Sequence, residues 1–235
     1  MFHILRLKSY PIYEQLLLEE ALLRSDTRNF CLINQGSPPA IVMGISGKKE
    51  ELVNCTTAAK DNIPLIKRFS GGGTVIVDEN TLFVTFICQK QLHDFAPYPE
   101  PIMRWTESIY QKAFSPLSFE LKQNDYVFGD KKCGGNAQYI KKDRWLHHTS
   151  FLWDYCPSKM SHLLHPKKTP DYRQGRQHSD FLTKLSEHFS SPDQVIEKIL
   201  DEIRARYPTM ECTLEEAVGN SVEKGRRTTT YVEIK

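Results

Sequence analysis

Downstream of Pro11, the apolar residues Leu17, Leu18, Ala21 and Leu22 recur at i, i+1, i+4 and i+5. That spacing predicts an amphipathic helix over I-Y-E-Q-L-L-L-E-E-A-L-L-R. The period then changes. Short β-rich runs occupy 30–34, 40–44, 64–68, 74–77 and 82–88, separated by Gly, Pro, Asn and Asp. Residues 89–100 read as a loop. Helical spacing returns over 102–114 at Ile102, Trp105, Ile109 and Ala113, and 125–155 reads as strand, loop and strand. A last helix, about 191–207, is announced by Ser191 as N-cap, Pro192 at the first helical position and Gln194 completing a capping box. Its apolar face is Val195, Ile196, Ile199, Leu200 and Ile203. The stretch from Asn220 onward is polar and weakly patterned. Strands and helices interleave without a strict βαβ rhythm. The expectation is therefore an α+β fold, a mixed or antiparallel sheet flanked by helices, in a single domain over 1–235.

Composition narrows the class. Of 235 residues, 40% are hydrophobic and 26% charged, the profile of an ordinary globular protein able to bury a core. A formal net charge of +2 gives no electrostatic reason to expect a nucleic-acid or membrane partner. The six cysteines at 31, 55, 88, 133, 156 and 212 form no C-x-x-C pair, so neither a zinc site nor a redox motif is suggested. M-F-H-I-L-R-L-K-S-Y has no long apolar segment after a basic one, and a cytoplasmic protein with reduced thiols and no signal peptide is expected.

The chemistry concentrates in R-F-S-G-G-G-T-V-I, 68–76. Three glycines before a strand are conformationally costly, about 0.5–1 kcal/mol each relative to Ala in a regular element. They mark either a tight turn or a loop whose N–H groups cradle an anion. Arg68 can meet a phosphate or carboxylate bidentately, or lie on an exposed strand edge. In G-D-K-K-C-G-G-N-A-Q-Y, 129–139, glycines and cations join again. This is either a solvated hairpin or a lysine held beside a Gly-Gly turn to face an anion.

Together, R-F-S-G-G-G-T-V, K-C-G-G-N-A-Q and L-H-H-T-S-F-L resemble the lipoate-protein ligase A family, within the biotin and lipoate ligase fold. L-L-L-E-E-A-L-L-R and I-V-M-G-I-S-G-K-K-E-E-L-V-N extend the likeness, which covers about residues 10–155. The resemblance implies a two-step reaction. ATP, with Mg²⁺, and lipoate give lipoyl-AMP. The lipoyl group then passes to a lysine on lipoyl domains of 2-oxoacid dehydrogenase E2 subunits or on the glycine cleavage H protein. Carried over, Lys132 is the catalytic lysine. Arg68, Ser70, Gly71, Gly72, Gly73, Thr74, Val75, Ile76, Asp78, Asn136 and His148 hold nucleotide and acyl chain, with the glycines leaving room for the acyl-adenylate.

The sequence departs from the family in three places. The family's H-D-x-G-N is V-D-E-N here, with Val77 for the His and one residue fewer. H-H-G-T is His147-His148-Thr149-Ser150, with a threonine at the glycine position. No counterpart of the C-terminal accessory domain common in the family is expected, and the resemblance then implies a separate accessory domain protein as a partner. The strap 169–182, with Tyr172, Arg173, Arg176 and His178, either contacts phosphate or an acidic carrier surface, or is solvated with Tyr172 and Phe181 pinned to the core. An octanoyltransferase or lipoyl amidotransferase of the same fold would need a nucleophilic cysteine. Cys133 reads as packing and Cys156 lacks the expected setting; Asp125 stands where one transferase branch would place its cysteine. A biotin ligase is disfavoured by the absence of G-R-G-R-x-G-R, and a non-catalytic relative is the remaining alternative.

Overall fold

The computed structural model describes residues 1–164, 169–219 and 228–234, without the side chains of His178 and Ser179. Its strands are β1 (Phe2–Lys8), β2 (Asn29–Gln35), β3 (Ala40–Met43), β4 (Leu65–Lys67), β5 (Val75–Val77), β6 (Thr81–Gln89), β7 (Phe119–Lys122), β8 (Asp125–Phe128), β9 (Lys131–Ile140), β10 (Arg144–Leu152), β11 (Thr209–Glu211) and β12 (Thr230–Val232). The helices are α1 (Ile12–Ser25), α2 (Lys49–Leu52), α3 (Cys55–Lys60), α4 (Pro99–Ala113), α5 (Pro157–Met160), α6 (His178–Phe181), α7 (Pro192–Arg206) and α8 (Leu214–Val218).

Among the described residues the strands form two sheets. The larger runs β11-β1-β2-β6-β10-β9-β8-β7 and the smaller β12-β4-β3-β5. Both are mixed: β1 is parallel to β2 and β11, and β3 to β4, while the other pairs are antiparallel. The α+β expectation holds.

The two faces of the large sheet are covered differently. Ile102, Ile109, Tyr110 and Ala113 of α4, with Val195, Ile199, Leu200 and Ile203 of α7, pack on one face against Phe86, Trp145 and Phe151. α1 lies on the other. Leu18, Leu22 and Leu23 meet Leu5, Phe30 and Leu146 of the large sheet. Ile12 and Leu16 meet Ala40, Val42, Ile66 and Val77 of the small one. Because it touches both sheets, α1 buries more of its circumference than its Leu pattern implied. Leu16, Glu19, Glu20 and Leu23 are buried, while Leu17 is only half-buried.

Three local expectations change. The stretch read as a loop to residue 100 already contains the first two residues of α4, where Pro99 needs no N–H partner. Ser191 does cap α7, accepting from Gln194 N, but the Gln194 side chain accepts from Ser190, so the box is incomplete. A complete box opens α8, between Thr213 and Glu216. Of the polar ending, 220–227 lies outside the described residues. Beyond it, β12 returns to pair with β4, and Thr228 and Thr229 donate to the buried Glu20 carboxylate.

Candidate active site

The glycine triplet follows β4. Arg68 is 2% exposed and its guanidinium lies beneath the loop. Its Nη2 donates to the Gly71 carbonyl at 3.0 Å and the Gly73 carbonyl at 2.8 Å, and Nη1 donates to Val42 O at 3.3 Å. It is neither a surface residue nor a free fork; here it staples the loop. Burial pulls its pKa down to about 10, a shift that Glu19 partly opposes. Gly72 has φ +114°, and an added Cβ would sit 2.6 Å from Arg68 Nη2 and 3.0 Å from Asn136 O. The protein itself therefore demands glycine at 72. At Gly73 a Cβ would meet nothing within 4 Å, and at Gly71 only Gln138 O at 3.9 Å. Gly44, which composition alone did not single out, is as necessary: its Cβ would come 2.3 Å from Gly72 O.

The K-K-C-G-G segment is not a turn. Gly134 and Gly135 lie inside β9, paired with Phe151 and Ser150 of β10. A Cβ at Gly134 would press to 2.9 Å on the Phe151 ring, and one at Gly135 would stand 3.7 Å from Lys132 Nζ. The glycines thus admit a core aromatic on one face and the lysine chain on the other. Lys132 Nζ is 2.7 Å from Asp125 Oδ1, and Tyr172 Oη donates to Asp125 Oδ2 at 2.9 Å.

Lys132 and the stretch Gly71–Ile76 line one cavity of about 930 Å³, together with Arg68, Asn136 and His148. Such a volume suits a sizeable small molecule. Leu52, Ile76, Leu152, Met160 and Leu163 contribute apolar wall, while Asp125, Lys132, Gln138 and Arg173 contribute polar wall. Ser70 and Asp78 are not part of the lining. The Ser70 hydroxyl is buried without a hydrogen-bond partner. Asp78 closes the turn between β5 and β6, accepting from Asn80 N and pairing with Lys159 Nζ at 2.6 Å.

β10 alternation sorts its polar run. His148 and Ser150 face the cavity. His148 Nδ1 meets Glu19 Oε2 at 3.1 Å, and Glu19 Oε1 accepts from Gln15 and Thr85. His147 points to the other face, bonded to Gln138 through Nδ1, and burial holds its pKa at about 3. Thr149 also points there, donating to Asn136 Oδ1 at 2.8 Å, so the family's missing glycine puts no methyl into the cavity. Asn136 Nδ2 donates to Asn124 O, so its side chain is already engaged.

The thiols give no built nucleophile. Cys133 is fully buried, donates to Tyr126 O, and desolvation pushes its pKa far above the ordinary thiol value. Cys156 is lowered by its Ser158 hydrogen bond and by neighbouring backbone N–H groups, but it does not line the cavity. Among the described residues no cluster of three or more His, Cys, Asp or Glu could hold a metal, and no helix is long and apolar enough to cross a membrane.

The fold and site are those of an α+β protein with a ligand-sized cleft between two mixed sheets, floored by a stapled glycine loop and faced by Lys132. The chain belongs to the lipoyl protein ligase A/B catalytic domain family, whose model matches residues 11–204. It is 29% identical over 269 residues to the inactive lipoate–protein ligase 2 of Plasmodium falciparum, covering 87% of this chain and 69% of that protein. It is 28% identical to lipoate-protein ligase LplJ of Bacillus subtilis over 55% of this chain and 39% of the relative's length. Two solved structures share the fold. One is a lipoate-protein ligase A bound with ATP, with TM-score 0.76, 18% identity, 92% of this chain and 89% of that one. The other, from a study of a bi-partite lipoate protein ligase and its E2 lipoyl domain from Thermoplasma acidophilum, has TM-score 0.76, 17% identity, 92% and 88%.

Proposed function

We propose that the chain is a lipoate-protein ligase that activates lipoate with ATP and transfers it to a lysine of a lipoyl domain. The observation that carries this is the shared cavity of Lys132 and the 71–76 loop. Joining a carboxylate to an α-phosphate brings two anions together. The carboxylate oxygen forms the new P–O bond as pyrophosphate leaves, and negative charge gathers at phosphorus. An ammonium ~4 Å away, at an effective dielectric of about 20, contributes roughly 4 kcal/mol. Realised only in the transition state, that is about a thousandfold in rate. Gly71 and Gly73 present backbone without side chains to the ligand, and Arg68 keeps that loop in place. The apolar wall suits an acyl chain. In the second step the acceptor amine attacks the acyl carbonyl and AMP leaves. Mg²⁺ takes most of its ligands from water and phosphate; the carboxylate of the polar wall, Asp125, is already held by Lys132 and Tyr172, so the cation would enter with the nucleotide and not on a protein ligand. Mg²⁺ would neutralise phosphate charge.

A second reading is favoured by the Lys132–Asp125 pair at 2.7 Å. A carboxylate already on the lysine weakens its pull on phosphate. The chain would then transfer preformed lipoyl-AMP without making it. Mass spectrometry of an apo lipoyl domain separates the two. Incubation with the chain, ATP, Mg²⁺ and lipoate should add one lipoyl amide, absent without ATP and absent for K132A. Gain only from synthetic lipoyl-AMP establishes the second reading. Gain without ATP from an acyl-carrier thioester would overturn both in favour of a transferase.

A further inference from the structure

The strap that follows residue 168 is fastened to the polar wall. Gln123 and Asp171 exchange two hydrogen bonds, Tyr172 reaches Asp125, and Thr183 N donates to the carbonyl of Lys132 itself at 2.9 Å. Arg176 faces outward, with Nη1 on Asp130 Oδ2 at 2.9 Å. Arg173 faces inward. Its Nε donates to Arg176 O at 2.9 Å, Arg176 Nε returns a bond to Arg173 O at 3.1 Å, and its guanidinium stacks 4.9 Å from the Phe181 ring centroid. These contacts fix the plane of the guanidinium, yet Arg173 is only 5% exposed and its Nη2 has no hydrogen-bond partner among the described residues. A buried, fixed, unpaired donor on a cation costs free energy unless a ligand accepts from it.

The surroundings name the ligand's charge. The charged residues lining the cavity are Arg68, Lys132 and Arg173 against the single carboxylate of Asp125. Both Asp125 oxygens are engaged, by Lys132 and Tyr172, and the Nη1 and Nη2 groups of Arg68 are spent on the Val42, Gly71 and Gly73 carbonyls, its Nε alone lacking a partner. We infer that Arg173 is a phosphate-binding residue, its Nη2 donating to a non-bridging phosphate oxygen held between it and Lys132. Burial and the neighbouring Arg176 guanidinium both pull the Arg173 pKa below its ordinary value, a strain that a bound anion relieves. The strap thereby becomes part of the ligand site and not only a cover.

This inference rests on the nucleotide reading of the cavity, and calorimetric titration separates the two. The full chain and its R173Q and R173K variants are titrated with ATP, adenosine and inorganic pyrophosphate. A charge-assisted hydrogen bond predicts that R173Q weakens ATP and pyrophosphate about 10- to 100-fold, leaves adenosine unchanged, and that R173K recovers part of the loss. The unchanged adenosine affinity reports that the variant is folded. ATP and pyrophosphate affinities equal to the wild type in R173Q overturn the inference while the nucleotide reading stands. Arg173-dependent pyrophosphate binding without ATP binding supports the anion site and overturns ATP activation. Wild-type chain that binds neither overturns both.

Discussion

At Gly72 an added methyl group would lie 2.6 Å from the Arg68 guanidinium at a φ of +114°, whereas at Gly73 it would meet nothing within 4 Å. The two positions should respond oppositely. G72A combines left-handed strain with overpacking and should lower the free energy of unfolding by about 2–4 kcal/mol, read from urea melts. G73A should melt within about 0.5 kcal/mol of the wild type but bind ATP or lipoate more weakly, because its methyl enters the cavity. A G73A protein as unstable as G72A would show that the loop, not the ligand, sets both glycines. At Lys132, replacement by Ala should cut lipoate-dependent ATP–pyrophosphate exchange about a thousandfold. K132A that exchanges at the wild-type rate would remove the lysine from the chemistry.

At the scale of elements, α1 and β12 are joined by one carboxylate. Glu20 is buried, and burial alone would raise its pKa. Hydrogen bonds from Thr228, Arg24 and Thr229 overcome that and hold it below the ordinary glutamate value. A depressed carboxylate pKa contributes stability that is fully present above the unfolded value, near 4.5, and is lost as pH falls through the lower folded value. E20Q should therefore lose about 1–3 kcal/mol at pH 7. Its stability and that of the wild type should converge below the folded-state pKa. Parallel curves at pH 7 and pH 3 would mean that Glu20 titrates alike in both states.

At the scale of the molecule, the cavity exists because the 71–76 stretch, residues of β9 and β10, and the strap are brought around one space. Cys31, Cys88 and Cys133 are sealed in the core, and burial raises all three thiols. Iodoacetamide on the native chain should label Cys156 ahead of them and leave acyl transfer intact. Loss of transfer in step with that labelling would return a thioester mechanism to consideration.

Much of this was written in the chain's own periodicities. α1, the β2–β6 strands, α7 with its Ser191 cap, the 68–76 loop and Lys132 are local patterns, and local pattern is what steric preference and amphipathicity can specify. The resemblance in the glycine and lysine motifs likewise reached the family that the chain belongs to. Other features depended on register and on contacts across long stretches of chain. β10 pairing sends His148 into the cavity and His147 away from it. β9 pairing turns an apparent Gly-Gly turn into mid-strand space for Phe151 and Lys132. The strap carries Tyr172 to Asp125, 47 residues earlier in the chain. Arg68 reads as a cation awaiting an anion until the fold gives it the Gly71 and Gly73 carbonyls. Arg173, in a strap that the sequence left open between phosphate contact and a solvated cover, lines the cavity with an unpaired donor. A side chain's type is fixed by the sequence, but its remaining hydrogen-bonding capacity is known only once packing has assigned its partners.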